Sequence, residues 1–197
     1  MSFKLGLTGS IGMGKSTTAR MFAEAGCAVW DADAAVHRLY SKGGAAIEPI
    51  GKTFPDVIVD DAVDRARLRE VVSKSADALK IIEDIVHPLV RQDRSEFAEN
   101  ATQDILVFDI PLLFETGSEA DMDAVACVTV SAELQEKRVM ERGTMTRAQF
   151  ETIREKQMPN DEKLRRSDFV ITTETLERAR RQVHDILQEI RKGMTHA

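Results

Sequence analysis

The sequence predicts an α/β fold in which helices flank a five-stranded parallel sheet. Short apolar runs alternate with longer amphipathic stretches along the chain, which is typical of strands alternating with helices. Near the amino terminus a strand, a helix and a second strand follow one another within about 30 residues, a spacing that indicates parallel neighbours. A glycine-rich stretch joins the first of these strands to the helix, as in turns that bind phosphate.

Five apolar segments predict the strands of this sheet, at residues 3–8, 27–31, 105–110, 124–130 and 169–172. Residues 15–24 predict the first helix, and Gly26 predicts its end because glycine adopts the left-handed conformation that closes helices. A last helix has apolar residues at helical spacing, which predicts one core-facing stripe. The stripe consists of Leu176, Ala179, Val183, Ile186, Leu187 and Ile190.

Two stretches interrupt the alternation of strands and helices. Residues 34–87 have a mostly helical pattern with glycine and proline breaks and contain no convincing core strand. Pro88 then fits the first position of a new helix. Residues 131–166 are strongly charged and helical, and Thr146 and Gln149 stand at the spacing of a capping box.

Composition excludes several classes of function. The chain has 197 residues, a net charge of −6 and 5% aromatic residues, which argues against a nucleic-acid coat or an RNA-stacking surface. No apolar stretch approaches the ~20 residues that span a bilayer, and the amino terminus lacks a signal-peptide pattern. Cys27 and Cys127 lie in apolar runs, so we expect two buried, reduced thiols in a cytoplasmic protein.

The charge is unevenly distributed. Residues 131–166 contain nine basic and seven acidic side chains, a net charge of +2, which leaves −8 for the rest of the chain. On charge alone, this pattern favours a solvated helical surface with i,i+4 ion pairs over a ligand site.

The glycine-rich stretch from Gly9 to Ser16 matches the phosphate-binding pattern G-x-x-x-x-G-K-[ST] in full. Its glycines let successive N–H groups point at phosphate oxygens, and the following helix adds partial positive charge. Lys15 is predicted to reach the β- and γ-phosphates, and the Ser16 hydroxyl to ligate Mg²⁺. A glycine-rich turn that matches by chance is the alternative, but the strand before the motif and the helix after it favour a nucleoside triphosphate site.

This motif alone leaves a kinase, a GTPase switch and an ATP-driven motor open. A guanine-nucleotide switch is expected to carry N-K-x-D and D-x-x-G elements, and neither tetrapeptide occurs in the sequence. Motor domains of this class are usually longer. Phosphoryl transfer to a small molecule is therefore the favoured function.

Two carboxylates end the second predicted strand, at Asp31 and Asp33. Ligands of open parallel sheets bind beyond the carboxyl ends of the strands, and a kinase places one carboxylate where it can take the proton of the attacking hydroxyl. Asp33 is our candidate for this base. His37 lies on the same face of the following helix and could orient the substrate or Asp33. The alternative function of the aspartates is helix capping, and His37 could equally be a plain surface residue.

Three further side chains are candidates. Asp109 ends the third predicted strand, where a carboxylate can hold Mg²⁺ through water or bind substrate. The apolar run after it, which includes Leu112, is either core or an apolar wall for an organic substrate. Arg142 could close over the transferring phosphate or stack on adenine. His87, taken as pattern alone, marks only a helix boundary before Pro88.

Five segments in this order resemble the dephospho-CoA kinase family. They are LTGSIGMGKST (7–17), DADAAVH (31–37), HPLVR (87–91), DIPLLFE (109–115) and QMPNDEK…RRSDFVI (157–171). The phosphate motif is generic, whereas DADxxxH and DIPLLFE are much more specific. Among rivals, a family similar to shikimate kinase is expected to show three consecutive glycines, and only Gly43-Gly44 occurs here. A nucleoside monophosphate kinase and a non-catalytic nucleotide switch are two further rivals.

The resemblance implies a P-loop kinase fold with three functional parts. The nucleotide-binding core would comprise residues 1–33, 88–130 and 167–197, with a helical substrate module at 34–87 and a mobile lid at 131–166. The implied reaction is ATP-dependent phosphorylation of the ribose 3′-hydroxyl of dephospho-CoA, giving CoA and ADP with Mg²⁺ as cofactor. The expected partner is this small molecule, without nucleic acid or membrane, and a monomer is favoured.

The resemblance also implies roles for individual residues, carried over by matching position. The phosphates of ATP would bind the loop that opens at Gly9, through Gly12, Met13, Gly14, Lys15, Ser16 and Thr17. Asp33 would be the base, and Lys15 and Arg142 would complete the catalytic set. His37, His87, Asp109 and Leu112 would lie at the substrate site.

The family usually has an asparagine-containing turn, often ending in glycine, after the fifth strand. Residues 171–174 contain neither, so the adenine contacts stay open.

Overall fold

The computed structural model describes residues 2–195, in which seven strands are found. Five of them form one sheet and two form a short hairpin. In chain order they are β1 Phe3–Thr8, β2 Ala28–Asp31, β3 Ile58–Val59, β4 Ala62–Val63, β5 Ile105–Asp109, β6 Ala124–Thr129 and β7 Phe169–Thr172. The five strands predicted from the sequence are therefore confirmed, with bounds that differ by at most one residue.

Helices occupy most of the remaining described chain. They are α1 Lys15–Glu24, α2 Ala32–Tyr40, α3 Ile47–Thr53, α4 Arg65–Lys74, α5 Ala76–Asn100, α6 Ala132–Glu141, α7 Arg147–Lys156, α8 Asn160–Arg165 and α9 Leu176–Met194, with short 3₁₀ turns at Pro55–Val57 and Ser118–Asp121. The first helix has the predicted bounds, and Gly26 follows it with a φ of +92°, as its role in ending the helix requires.

The large sheet is parallel and has the strand order β2-β5-β1-β6-β7. Its central strand, β1, pairs with β5 on one side and β6 on the other. The register places Leu7 opposite Asp109 of β5 and opposite Ala126 of β6. The carboxyl ends of these three strands therefore lie side by side, and the segments that follow them meet at one edge of the sheet.

Apolar residues of the sheet and of α1 and α9 form the core of the first of two compact units. This unit contains the described residues up to Trp30 and those from Ala101 onward. Leu5 and Leu7 of β1 are fully buried, and Val183 and Leu187 of α9 pack into the same cluster. The predicted stripe on α9 is wrong at Leu176, which is 67% exposed, because it is the first residue after the capping Thr175 and precedes the buried turns of the helix.

The second unit comprises Asp31–Asn100 and is built from α2 to α5 and the hairpin of β3 and β4. The hairpin turn consists of Asp60 and Asp61, both with positive φ, as a two-residue turn of its type requires. Leu39, Ile50 and Ile82 lie in the core of this unit. As predicted, this part of the chain adds no strand to the large sheet.

The helix predicted to begin at Pro88 is wrong, because Pro88 lies inside α5. Proline removes one N–H from a helix and leaves the carbonyl four residues earlier without its usual donor. That carbonyl belongs to Asp84, and both residues are exposed, so water can satisfy it. A long helix with an apolar face packed in the core tolerates this local loss.

The charged segment 131–166 forms α6, α7 and α8, and the predicted capping box at Thr146 and Gln149 is present. Val139, Phe150 and Lys163 are buried. The predicted solvated surface with an i,i+4 ion pair is present at Lys137 and Glu141, and the three buried residues form the side of the segment that faces the interior. None of the described helices is long and apolar enough to cross a membrane.

Both cysteines are buried and free, as predicted. Burial raises the pKa of the Cys27 and Cys127 thiols to about 11, so that about one thiol in a thousand is ionised at pH 8. We expect the folded protein to react very slowly with Ellman's reagent at pH 8 and to release two equivalents promptly in denaturant. Rapid labelling of the folded protein would contradict this assignment.

Candidate active site

The phosphate loop, residues 9–14 between β1 and α1, is closely packed on its outer side. Gly12 and Gly14 have φ values of +78° and +89°, which only glycine adopts without strain. A methyl group on Gly12 would lie 2.5 Å from Val139 Cγ2, and one on Gly14 would lie 2.9 Å from Thr173 Oγ1. The glycines therefore allow both the curl of this phosphate loop and its contact with α6 and with the turn after β7.

Side chains from distant parts of the chain bind the backbone of the phosphate loop. The Gln135 amide donates to the Ile11 carbonyl at 2.7 Å, and the Ile11 N–H donates to Gln157 Oε1 at 3.1 Å. The Thr173 hydroxyl donates to the Met13 carbonyl at 2.7 Å. These bonds direct two carbonyl oxygens of the loop toward protein donors. This suits a loop that binds phosphate, because carbonyl oxygens repel anions and N–H groups attract them.

Lys15 and Asp109, both predicted from the sequence, form an ion pair through Lys15 Nζ and Asp109 Oδ1. The pairing of β1 with β5 brings them together, since Lys15 follows the phosphate loop and Asp109 is the last residue of β5. Asp109 is only 1% exposed. A carboxylate so deeply buried needs a partner, and here the partner is the lysine that the motif assigns to phosphate.

In the second unit, Asp31 and Asp33 have different environments. Asp31 caps α2, accepting a hydrogen bond from the Ala34 N–H at 2.8 Å. Helix capping, which the sequence allows for both aspartates, is therefore confirmed for Asp31. Asp33 lies in the first turn of the same helix and is exposed, so its carboxylate is accessible to a substrate.

The two candidate histidines of this unit are exposed, His37 on α2 and His87 within α5. Ser41 Oγ lies 2.7 Å from the His37 carbonyl oxygen and 3.1 Å from His37 Nδ1. A hydroxyl that donates its one proton to the carbonyl can only accept from an Nδ1–H group. The Ser41 hydroxyl therefore occupies Nδ1 and leaves Nε2 outside this contact. No sequence pattern indicates this role of Ser41.

A cleft of about 370 Å³ lies beside the phosphate loop in the first unit. It is lined by the start of α1, by the end of α6 and by the turn between β7 and α9. The lining residues are Gly14, Thr17, Thr18, Met21, Arg138, Glu141, Arg142, Thr173, Thr175, Leu176 and Ala179. Arg142, predicted from the sequence, follows α6 and is exposed.

Arg138 is a residue of this cleft that is not predicted from the sequence. Its guanidinium donates to the Thr173 carbonyl at 2.6 Å and to Thr173 Oγ1 at 3.1 Å. Thr173 in turn donates to the Met13 carbonyl, so α6, the turn after β7 and the phosphate loop are linked by hydrogen bonds. The capping and pairing patterns of α6 give no sign of this bond, because its partner lies 35 residues further along the chain.

The segment after Asp109 divides into buried and exposed residues. Leu113 and Phe114 are buried, whereas Leu112 is 43% exposed. The interpretation of this apolar run as core is therefore confirmed for Leu113 and Phe114, whereas an apolar wall for a substrate stays a prediction for Leu112. Leu113 and Phe114 belong to the core, and Leu112 remains available to an organic ligand.

A buried lysine holds the same segment in place. Lys163 of α8 is fully buried and binds Glu115 Oε1 at 2.9 Å and the Pro111 carbonyl at 3.2 Å. Glu115 Oε1 also accepts from the Met158 N–H at 2.9 Å. Burial alone would raise the pKa of Glu115, but the hydrogen bonds from Lys163 and Met158 outweigh it, and the pKa is lowered.

The oxygen ligands near the phosphate loop fit Mg²⁺. Among residues 2–195 no cluster of three or more His, Cys, Asp or Glu side chains could hold a metal on its own. Mg²⁺ is commonly held by one or two protein oxygens together with substrate phosphates and water. The exposed hydroxyl of Ser16, at the start of α1, and the carboxylate of Asp109 supply that kind of site.

A sequence profile of the dephospho-CoA kinase family matches residues 3–177. The chain belongs to this family. A dephospho-CoA kinase of Ruegeria pomeroyi is 66% identical over the full length of both chains. One from Cereibacter sphaeroides is 53% identical, covering 96% of each chain. The family resemblance inferred from the five motifs is confirmed.

Solved structures show the same fold. A Thermus thermophilus protein has a TM-score of 0.86 at 29% identity and covers 95% of this chain and 97% of its own. The dephospho-CoA kinase of Campylobacter jejuni has a TM-score of 0.72 at 27% identity, with 98% and 99% covered. A shikimate kinase of Acinetobacter baumannii, at 15% identity, has a TM-score of 0.55 over 98% of this chain and 95% of its own. The predicted P-loop kinase fold is thus confirmed.

The Glu115–Lys163 pair predicts how stability depends on pH. Because the pKa of Glu115 is lowered by folding, its ionised form stabilises the folded state above about pH 4.5, and this contribution is lost as the pH falls through the folded-state pKa. We expect Glu115→Gln to lower the free energy of unfolding at pH 7 by about 3 kcal/mol, because it leaves Lys163 buried without its counterion. The difference from the wild type should shrink below pH 4.

Urea denaturation at pH 7, 5 and 3.5 measures this dependence. Glu174→Gln is the matched control, because Glu174 pairs with Arg178 at the surface and its loss should cost only about 0.5 kcal/mol. A Glu115→Gln protein as stable as the control variant at pH 7 would show that the pair contributes nothing.

Proposed function

We propose that this chain transfers the γ-phosphoryl group of ATP to the ribose 3′-hydroxyl of dephospho-CoA, giving CoA and ADP. The observation that carries the proposal is membership of the dephospho-CoA kinase family together with an intact phosphate loop. The bond that forms joins the 3′-oxygen to the γ-phosphorus, and the bond that breaks joins the γ-phosphorus to its bridging oxygen. The proton of the hydroxyl leaves with a base.

The phosphate loop is proposed to bind the triphosphate. The N–H groups from Gly12 to Thr17, together with Lys15, would face the β- and γ-phosphates. Lys15 would then exchange its bond to Asp109 for phosphate oxygens. The cleft beside the loop would take the nucleoside, with Arg138 and Thr173 forming its wall.

Mg²⁺, when bound, neutralises charge on the phosphates as the transfer proceeds. The Ser16 hydroxyl and the Asp109 carboxylate are the residues that would hold it. Asp109 would bind the ion once Lys15 has turned to ATP, and the ion pair supports this exchange because it brings the two side chains together.

Asp33 is proposed as the base that takes the proton of the 3′-hydroxyl. Its exposure supports this role, as does the fact that Asp31 provides the cap of α2. His37 and His87 are proposed to bind the substrate within the helical module 34–87. Leu112 would offer apolar surface to its organic part.

The segment 131–166 is proposed to act as a lid that brings Arg142 to the transferring phosphate. Closure would exclude water and so reduce hydrolysis of ATP. An arginine at this point stabilises the charge that develops on the equatorial oxygens. The net charge of +2 on this segment supports its approach to a polyanionic ligand.

A coupled ADP-release assay across a short panel of acceptors tests the proposed function. We expect turnover with dephospho-CoA and only background ATP hydrolysis with shikimate, nucleoside monophosphates or no acceptor. Release of CoA, measured chromatographically, should match ADP one to one. Turnover with another acceptor and none with dephospho-CoA would overturn the proposal.

Asp33→Asn should lower kcat by about a hundredfold or more, because a general base acts in the transition state. The affinity for ATP should stay within about twofold of the wild type. Steady-state kinetics and calorimetric titration with ATP give the two quantities. Asp77→Asn is the control, since Asp77 is also an acidic residue in the first turn of a helix of the same unit. If kcat of Asp33→Asn stays within a factor of two, Asp33 is not the base.

A further inference from the structure

Both backbone polar groups of Ile11, in the middle of the phosphate loop, are bound by glutamine side chains. Gln135 of α6 donates to the Ile11 carbonyl, and Gln157, which follows α7, accepts from the Ile11 N–H. Gln135 is 4% exposed. The amide roles are fixed by the backbone, because a carbonyl can only accept and an N–H can only donate.

These two bonds constrain the shape of the loop. A free peptide group in a glycine-rich loop can rotate and direct its carbonyl oxygen toward a bound anion, which would repel phosphate. The bonds from Gln135 and Gln157 hold the orientation of the two peptide groups on either side of Ile11. They therefore also fix the position from which the backbone enters Gly12. The geometry is therefore set before any ligand arrives, which reduces the cost of binding.

We propose that Gln135 and Gln157 are positioning residues that hold the phosphate loop in its ATP-binding shape. Because they stand at the two ends of residues 136–156, they also attach this stretch to the loop at a single residue. Arg142 lies between the two anchors. The inference rests on the proposed function in that it takes the phosphate loop as the site of ATP.

The attachment limits what the lid can do. Both ends of residues 136–156 are held at Ile11. The middle of this stretch can therefore move over the phosphate loop while its two ends stay in place. Breaking either bond would leave a backbone group of Ile11 without its partner and let the loop adopt other shapes. Only the fraction of molecules with the correct shape would then bind ATP, and the apparent Kd would rise in inverse proportion to that fraction.

Replacement of each glutamine by leucine removes its hydrogen bond at similar volume. We expect Gln157→Leu and Gln135→Leu each to raise the Kd of ATP by about tenfold, the usual effect of one lost buried hydrogen bond. Calorimetric titration of the folded variants with ATP, without acceptor, measures this directly. The KM of dephospho-CoA should stay within about twofold, because the second unit is unchanged.

Glutamate variants separate hydrogen bonding from packing. Gln157→Glu keeps an acceptor for the Ile11 N–H, whereas Gln135→Glu turns a donor into a carboxylate that faces the Ile11 carbonyl. An added negative charge acts on ATP from both positions, so the comparison between the two variants isolates the hydrogen bond. We expect the Kd of ATP to be at least about fivefold higher for Gln135→Glu than for Gln157→Glu.

Gln182→Leu is the matched control. Gln182 of α9 also makes two bonds to backbone, accepting from the Thr172 N–H at 2.9 Å and donating to the Val170 carbonyl at 3.3 Å, but its partners lie in β7. Its loss should lower the melting temperature about as much as that of Gln157 and leave the Kd of ATP unchanged. Should Gln135→Leu fail to fold, Gln157→Leu and the control decide the question.

The proposal is overturned if both leucine variants bind ATP within twofold of the wild type, or if the two glutamate variants weaken ATP binding equally. It is also overturned if Gln182→Leu weakens ATP binding as much as Gln157→Leu. These titrations need no phosphoryl transfer. A wild-type protein that binds ATP but does not phosphorylate dephospho-CoA would contradict the proposed function and leave the role of the glutamines intact.

Discussion

The pairing of β1 with a parallel strand on each side is the constraint on which the rest of the first unit depends. Its hydrogen bonds to β5 and β6 fix which residues end together at one edge of the sheet. The phosphate loop can meet Asp109 only because Leu7 and Asp109 stand opposite one another. A shift of two residues in this register would separate Lys15 from its carboxylate and break the ion pair.

Much of this arrangement could be predicted from the sequence because it is local. Apolar runs indicate the five strands of the sheet. The spacing of three residues between Thr146 and Gln149 indicates the capping box. The phosphate-binding motif identifies Lys15. Asp109 could be placed because strand ends are recognisable. The sequence pattern does not predict that α5 continues through Pro88, because the burial of an apolar helix face outweighs one lost hydrogen bond.

The missed residues share a physical reason. Gln135, Gln157 and Lys163 are polar side chains whose patterns resemble those of an exposed helix. Gln135 and Gln157 bind residues more than 100 positions away, and Lys163 binds a carbonyl 52 positions away. Such bonds leave no periodicity, since any glutamine or lysine could make them. Only the folded structure shows that Gln135 and Lys163 are buried and that Gln157 is partly buried, where an unpartnered polar group would be costly.

Because Lys15 is already paired with Asp109, an anion that binds this lysine would have to replace a carboxylate. An incoming anion does not meet a free cation and must displace a carboxylate that already neutralises it. A small anion such as inorganic phosphate gains little from the exchange, whereas a triphosphate brings more charge and more oxygens to the same lysine. The pair therefore sets an electrostatic cost for any anion that approaches Lys15, and a triphosphate would offset more of that cost than a small anion would.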